Sequence, residues 1–364
     1  MNFKLPAKNT HPEISKEQHL VPRTYMRAWA HDDKDHIWVY DSNSKKKQPE
    51  EKTVESINYK NGFHDIKIGD IFIPDEAMEE LYGPLKEYKI VLGDKELTSL
   101  EAYRESYADY DHWVITDMAG NVANKKEKNE LKSILEQSRF TFIEKEWCEQ
   151  FEKNWKEYIN RFEESVRCNV TTAMYKLTWE EWKTLMEYTL VYDFRNEYGN
   201  SWVNQIMADI LPEEIATLEI PYVERSHKFN KSAGDELKHA TQIKAFYEYL
   251  KCREGKIALM IDQYIQNCGI QICLTNERFP FITSNAPSMM IRRIDNSIQH
   301  IFVATPTMLI TTYKKTQKSN FMCGYIKPKE VKRFNKYIAE NSSLLISKNN
   351  DLDTAKIFQM YCNR

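Results

Sequence analysis

Glycine is scarce in this chain. Only 10 of its 364 residues are Gly, and neither GxGxxG nor GxxxxGK[ST] occurs. A glycine-rich loop cradling phosphate on backbone N–H groups is therefore not expected. No stretch reaches the roughly 18 apolar residues needed to span a bilayer. The opening MNFKLPAKNTHPEISKEQ lacks the apolar segment of a secretory signal. The seven cysteines, at 148, 168, 252, 268, 273, 323 and 362, form no CxxC pair. They read as reduced, small apolar residues of a cytoplasmic protein rather than a disulfide framework or zinc site. HExxH and GxSxG are missing too, which removes the best-marked metalloprotease and serine hydrolase chemistries. Nothing in the residue pattern nominates a metal site or a cofactor.

What is present is a globular composition, 41% hydrophobic and 29% charged, long enough for one large domain or two joined ones. The net charge is only -3, but it is unevenly spread. Residues 269–364 hold 14 Lys and Arg against 6 Asp and Glu, a net of +8, and residues 1–268 hold 37 against 48, a net of -11. An anionic ligand is expected to approach the C-terminal quarter.

Periodicity and punctuation suggest an α+β fold, a helix-rich middle packed with short antiparallel strands from the N-terminal and C-terminal segments. Residues 1–18 read as an extended arm and 19–364 as a single domain. Within it lie a helical middle at about 74–268 and a strand-rich part at about 269–364. Pro22 suits the first turn of a short helix ending near Ala30, and HIWVYD at 36–41 reads as a strand. Asn61-Gly62 signals a turn between short strands. Leu131, Leu135, Phe142, Trp147, Phe151, Trp155, Phe162 and Val166 form an apolar stripe on one long helix or a broken pair.

TWEE at 178–181 is a capping-box pattern that opens a helix over 178–198, and Gly199 suits its end. On that helix Trp182, Leu185, Met186, Thr189 and Asp193 share the inward face. Arg195 falls on the flank with Tyr188 and Tyr192, and Asp193 is expected to pair locally.

The chemistry-bearing residues are dispersed. His19 is the kind of side chain that titrates near neutrality, and Arg23, Arg27 and Arg195 are fork-shaped donors suited to phosphate or carboxylate. The run FITSNAP offers Thr283, Ser284 and Asn285 just after a strand, where short polar side chains and turn N–H groups can bind an anion.

In order along the chain, HLVPRTYMRAW with IWVYD, then LVYDFRN, FITSNAP and VKRFNKYIAENSSLLIS resemble the bacterial family catalogued as domain of unknown function 4238. The likeness runs from about residue 19 to 350. It implies matches at His19, Pro22, Arg27, Arg195, Thr283, Ser284, Pro287 and Asn335. Asn285 stands where the family usually shows Asp, and an amide can neither take a proton at neutral pH nor carry charge.

The expected function is a nucleotide- or nucleic-acid-processing protein with a phosphate-binding site, such as a nuclease in bacterial defence. His19, Arg27 and Arg195 would be catalytic, and Arg23, Thr283, Ser284 and Asn285 would bind the ligand. The rival expectation is a non-catalytic interaction or binding protein whose motif residues lock the fold. A third, a metal-dependent hydrolase, would draw on Asp41, Glu79 or Asp193, which no spacing singles out.

Overall fold

The computed structural model describes residues 3–6, 17–45, 48–170, 177–195, 203, 211–292, 298–315, 321–350 and 354–356. Gly199 and the last residues of the helix expected over 178–198 lie outside the described residues. The chain is α+β, with helices and several small antiparallel sheets. Its contacts group into two compact units: Met1–Lys16, Gly62–Lys145 and Ile206–Tyr247 in a smaller one, Glu17–Asn61, Glu146–Gln205 and Glu248–Arg364 in a larger one. Each is built from three separated segments, so no single linker or composition shift marks a boundary. Among the described residues no helix is long and apolar enough to cross a membrane.

In the larger unit the strand-rich ends pair directly. Thr283–Ser284, Leu344–Ser347, His36–Asp41 and Glu50–Thr53 form one four-stranded antiparallel sheet in that order. A five-stranded sheet runs Ser288–Arg292, Ile298–Thr305, Met308–Lys314, Cys268–Leu274, Phe321–Tyr325. It is antiparallel except for its last pair, which is parallel. Met308–Lys314 is flanked on both sides, and its first five residues are all buried, as expected for a β-branched run inside a sheet. Next to His300 the sheet relies on side chains: Thr312 Oγ1 accepts from the His300 N–H at 2.9 Å, and Thr311 Oγ1 donates to its carbonyl at 2.8 Å.

The apolar stripe of the long charged stretch divides. Leu131 and Leu135 are buried on the Lys125–Gln137 helix of the smaller unit. Trp147, Phe151, Trp155, Phe162 and Val166 are buried in the larger unit. There a π-helical turn, Cys148–Glu152, precedes the Lys153–Asn169 helix. A π turn brings residues five apart over one another, and Trp147 Nε1 donates to Glu152 Oε1 at 2.8 Å.

The smaller unit corrects the expectation of a helical middle. Lys95–Leu97, Tyr88–Leu92 and Val114–Asp117 make a three-stranded antiparallel sheet inside it. The hairpin turns at Gly93, whose φ is 60°, a left-handed value that glycine adopts without strain. The Asn61-Gly62 signal works differently from a hairpin: Tyr59–Asn61 pairs with Glu17–His19, and Ile66–Lys67 pairs with Arg139–Phe140. The described residues of the N-terminal arm are engaged. Phe3 stacks on Tyr88 at 5.3 Å, and Lys4 donates its N–H to Asp117 at 3.1 Å.

Candidate functional site

The Trp179–Arg195 helix organises the larger unit. Its start is the expected capping box: the Glu181 N–H donates to Thr178 Oγ1 at 3.2 Å, and the Thr178 N–H to Glu181 Oε2 at 2.9 Å. Its second half departs from the one-faced reading, because every residue from Tyr188 to Arg195 is buried. The helix lies against the Gly255–Asn267 helix and against the strands Ser288–Arg292 and Ile298–Thr305. The flank tyrosines meet aromatic partners: Tyr192 packs 5.3 Å from Tyr25, 5.4 Å from Trp155 and 5.1 Å from Phe302. Such separations are favourable for ring pairs.

Arg195 is 1% exposed, so the helix flank on which it falls is buried. Its guanidinium lies 4.4 Å from the centre of the Trp147 ring, and Nη2 donates to the main-chain carbonyl of His19 at 3.0 Å. Glu152 Oε1, already accepting from Trp147, is 3.7 Å from the same nitrogen. A buried cation needs such company, since an uncompensated one costs several kcal/mol.

Two residues earlier, Asp193 pairs with His300, 107 positions away, instead of locally. Oδ2 lies 3.3 Å from His300 Nε2, and His300 Nδ1 lies 3.0 Å from the Tyr264 hydroxyl. With Nε2–H donating to the carboxylate, Nδ1 is left to accept from Tyr264. Burial pushes the Asp193 carboxyl above its ordinary range, against the pull of His300. The chain Tyr264–His300–Asp193 could relay a proton, but His300 and Asp193 are both fully buried.

The FITSNAP run gathers partners from distant segments. Thr283 Oγ1 lies 2.6 Å from the Tyr25 hydroxyl, which donates to the Val303 carbonyl at 2.5 Å. Trp29 Nε1 donates to the Phe281 carbonyl at 3.0 Å. Asn335 holds both ends of Phe281, accepting from the Ile282 N–H and donating to the Pro280 carbonyl, each at 3.1 Å. Ser284 Oγ accepts from the Ala286 N–H at 3.0 Å, closing its own turn. Asn285 uses both ends of its amide: Nδ2 donates to Ser343 Oγ at 2.9 Å, and Oδ1 accepts from the Leu344 N–H at 3.4 Å.

Arg23 and Arg27 are engaged elsewhere, each on a partly exposed carboxylate. Arg23 pairs with Glu55 at 3.0 Å and Arg27 with Asp35 at 2.7 Å. The His19 ring is half-buried, edge-on to Tyr59 at 5.9 Å. The site residues thus meet in two places: Arg195 at the backbone of His19, and residues 283–285 at Tyr25 and the strand from Leu344, with Asn335 holding the backbone just before them. Of the alternative metal ligands, Asp41 accepts from the Asn43 N–H at 2.8 Å and Glu79 pairs with Lys86 at 2.5 Å. Among the described residues no group of three His, Cys, Asp or Glu could hold a metal ion.

Sequence reasoning missed a histidine cluster in the smaller unit. His64 Nδ1 lies 2.5 Å from Glu144, His227 Nε2 3.1 Å from Asp70, and His239 Nε2 donates to the Phe63 carbonyl at 2.6 Å. The His227 and His239 rings are 4.5 Å apart, and Lys67 Nζ is 3.4 Å from His227 Nδ1. Burial and the neighbouring His227 hold the His239 pKa down at about 3, and the Asp70 carboxyl, though pushed up by burial, stays below its ordinary value because His227, the Lys67 N–H and His239 together favour its charged form. A cavity of about 10 Å³ beside Asp70, Glu236 and His239 has room for one water. Only FHDI at 63–66 hints at this cluster in the sequence, since its other members are scattered.

A family model described as protein of unknown function (DUF4238) matches residues 17–351. The chain belongs to this family. No curated protein and no solved structure matches it. The matched span holds the His36–Asp41 and Leu344–Ser347 strands, which pair side by side. The DUF4238 positions read from the sequence therefore include those that join the two ends of the larger unit.

Proposed function

We propose that this chain is a binding protein whose motif residues hold its fold and whose ligand contacts lie on its surface. The burial of Arg195 carries this reading: its guanidinium is spent on the His19 carbonyl, the Trp147 face and Glu152. A phosphodiesterase needs an acid or base and a charge-stabilising group within hydrogen-bond reach of one reacting atom. Here Thr283, Ser284 and Asn285 add support for the binding reading, because each spends its side chain within the fold. The six described cysteines are free thiols, in keeping with work in a reducing cytoplasm. The test is incubation of the purified chain with RNA, DNA and nucleotides, with and without divalent metal. Binding without turnover is expected, and turnover that His19→Ala abolishes would overturn the reading.

A second reading keeps a nucleotide- or nucleic-acid-processing activity, such as a nuclease in bacterial defence, near His19. It is favoured by Arg23 and Arg27, whose ion pairs are partly exposed and so weak enough for a phosphate to displace. Loss of cleavage in an Arg23→Ala, Arg27→Ala double variant would support it.

A further inference from the structure

The Pro328–Glu340 helix of the larger unit has two unlike faces. Val331, Phe334, Asn335, Ile338 and Ala339 are buried. Lys329, Lys332, Arg333 and Lys336 are exposed. At 100° per residue these four cations fall within one stripe opposite the buried face, about 10 Å long from first to last. Two carboxylates stand on the same helix. Glu330 turns back to accept the Lys327 N–H at 3.0 Å, and Glu340 sits at the far end, 3.9 Å from Lys336. The preceding strand, Phe321–Tyr325, is the edge of the five-stranded sheet and ends on Tyr325, which is 57% exposed. Its ring is held in place: Arg167 Nη1 lies 3.2 Å from the hydroxyl and the guanidinium 5.8 Å from the ring centre. Arg167 is itself fixed by Glu163 at 2.5 Å and by the carbonyls of Thr275 and Thr307. Lys327, also exposed, lies between Tyr325 and the helix in the sequence.

We infer that this stripe, with Tyr325, docks the backbone of a single-stranded nucleic acid. The inference rests on the binding-protein reading and names the partner. Charge complementarity selects a polyanion, and a stripe of four cations about 10 Å long can neutralise more than one backbone phosphate of a strand. An oriented, exposed aromatic four residues ahead of a cationic track offers a face on which an unpaired base stacks. A lipid surface would call for apolar side chains along the cationic face of the helix, where Lys and Arg stand instead.

The test is fluorescence anisotropy of the full chain with labelled single-stranded RNA and DNA, the matching duplexes, and polyglutamate as competitor. The quadruple variant Lys329→Gln, Lys332→Gln, Arg333→Gln, Lys336→Gln is expected to bind single strands at least about tenfold more weakly. Its salt slope should be shallower by about 0.7 for each phosphate that is no longer neutralised. Tyr325→Ala should weaken single-strand binding by about tenfold and duplex binding much less. Lys125→Gln with Lys126→Gln, on an exposed helix start of the smaller unit, should change nothing. Wild-type binding by the quadruple variant, no binding of any nucleic acid, or equal competition by polyglutamate would each overturn the inference. Cleavage of the bound strand would overturn the binding-protein reading while leaving this interface standing, provided the quadruple variant loses binding.

Discussion

Arg195 reaches His19 through the main chain: Nη2 donates to the His19 carbonyl at 3.0 Å, so this hydrogen bond needs a backbone at position 19 and no particular side chain. Two substitutions should therefore behave oppositely. His19→Ala keeps the carbonyl and is expected to leave the melting temperature nearly unchanged. Arg195→Ala empties a fully buried site, strands Glu152 and removes the cation over Trp147, and should cost roughly 3–5 kcal/mol. Arg195→Lys should recover little, because an ammonium cannot stack on the indole and reach the carbonyl with the same fork. Denaturant melts of the three variants check this; equal stability of Arg195→Ala and wild type would refute it.

The amide of Asn285 donates to Ser343 Oγ and accepts from the Leu344 N–H; an ionised carboxylate keeps the first contact only if the Ser343 hydroxyl turns round to donate. Asn285→Asp is expected to lose about 1–3 kcal/mol at neutral pH and to recover part of it in acid, where the acid O–H can donate again. Asn335→Ala should cost a similar amount or more, since it releases the Ile282 N–H and the Pro280 carbonyl together inside the core. Melts at pH 7 and 4.5 separate the two: only Asn285→Asp should gain on wild type as the pH falls.

Local signals in the sequence locate much of the larger unit. HIWVYD alternates and carries aromatic and β-branched residues, and it is the His36–Asp41 strand. Thr178 and Glu181 announce a cap whose geometry needs only four consecutive residues. Long-range facts are harder to read. Helical periodicity places Arg195 on a flank, but it cannot say that the flank faces Trp147 of another helix. Sequence shows Asp193 only its local neighbours, while its partner His300 comes from a strand of the C-terminal sheet. Within HLVPRTYMRAW, His19 and the arginines stand out as titratable groups. Tyr25 and Trp29, buried at the centre of the aromatic cluster, tie that segment to FITSNAP. The hairpin at Gly93 is legible in VLGDKEL but is outweighed by the helical texture around it.

Gly62 and Gly93 share a left-handed backbone, with φ of 63° and 60°, but not surroundings. A Cβ at Gly62 would stand 2.6 Å from Arg139 Nη1 and 2.8 Å from Asp65 Oδ2, inside an ion pair 2.9 Å long. A Cβ at Gly93 meets nothing within 4 Å. Gly93→Ala should therefore cost only the conformational term, about 1–2 kcal/mol. Gly62→Ala should cost that plus the displaced Arg139–Asp65 pair, and a double-variant cycle with Arg139→Ala should show the extra part vanishing. Equal losses at the two glycines would show that the clash relaxes freely.

His239 sets the last expectation. Its folded pKa is about 3 against 6.5 when unfolded. Above pH 6.5 it is neutral in both states and the stability is fully present. As pH falls from 6.5 toward 3 only the unfolded chain takes up the proton, so folding should weaken by about 1.4 kcal/mol per pH unit. Asp70, held below its ordinary 3.8, adds a second loss below that value. Asp193 works in the opposite sense: its raised pKa means the folded state binds the proton more tightly, and acid relieves a cost rather than creating one. The His239 share is isolated by His239→Gln, whose amide can still donate to the Phe63 carbonyl and does not titrate. Stability measured by urea melts from pH 7 to 4 should fall less steeply in His239→Gln than in wild type, with the gap closing as the pH drops below the unfolded value of 6.5. Parallel curves would mean that His239 is protonated in the fold, and that the buried cluster with His227, His64 and Asp70 accommodates the charge.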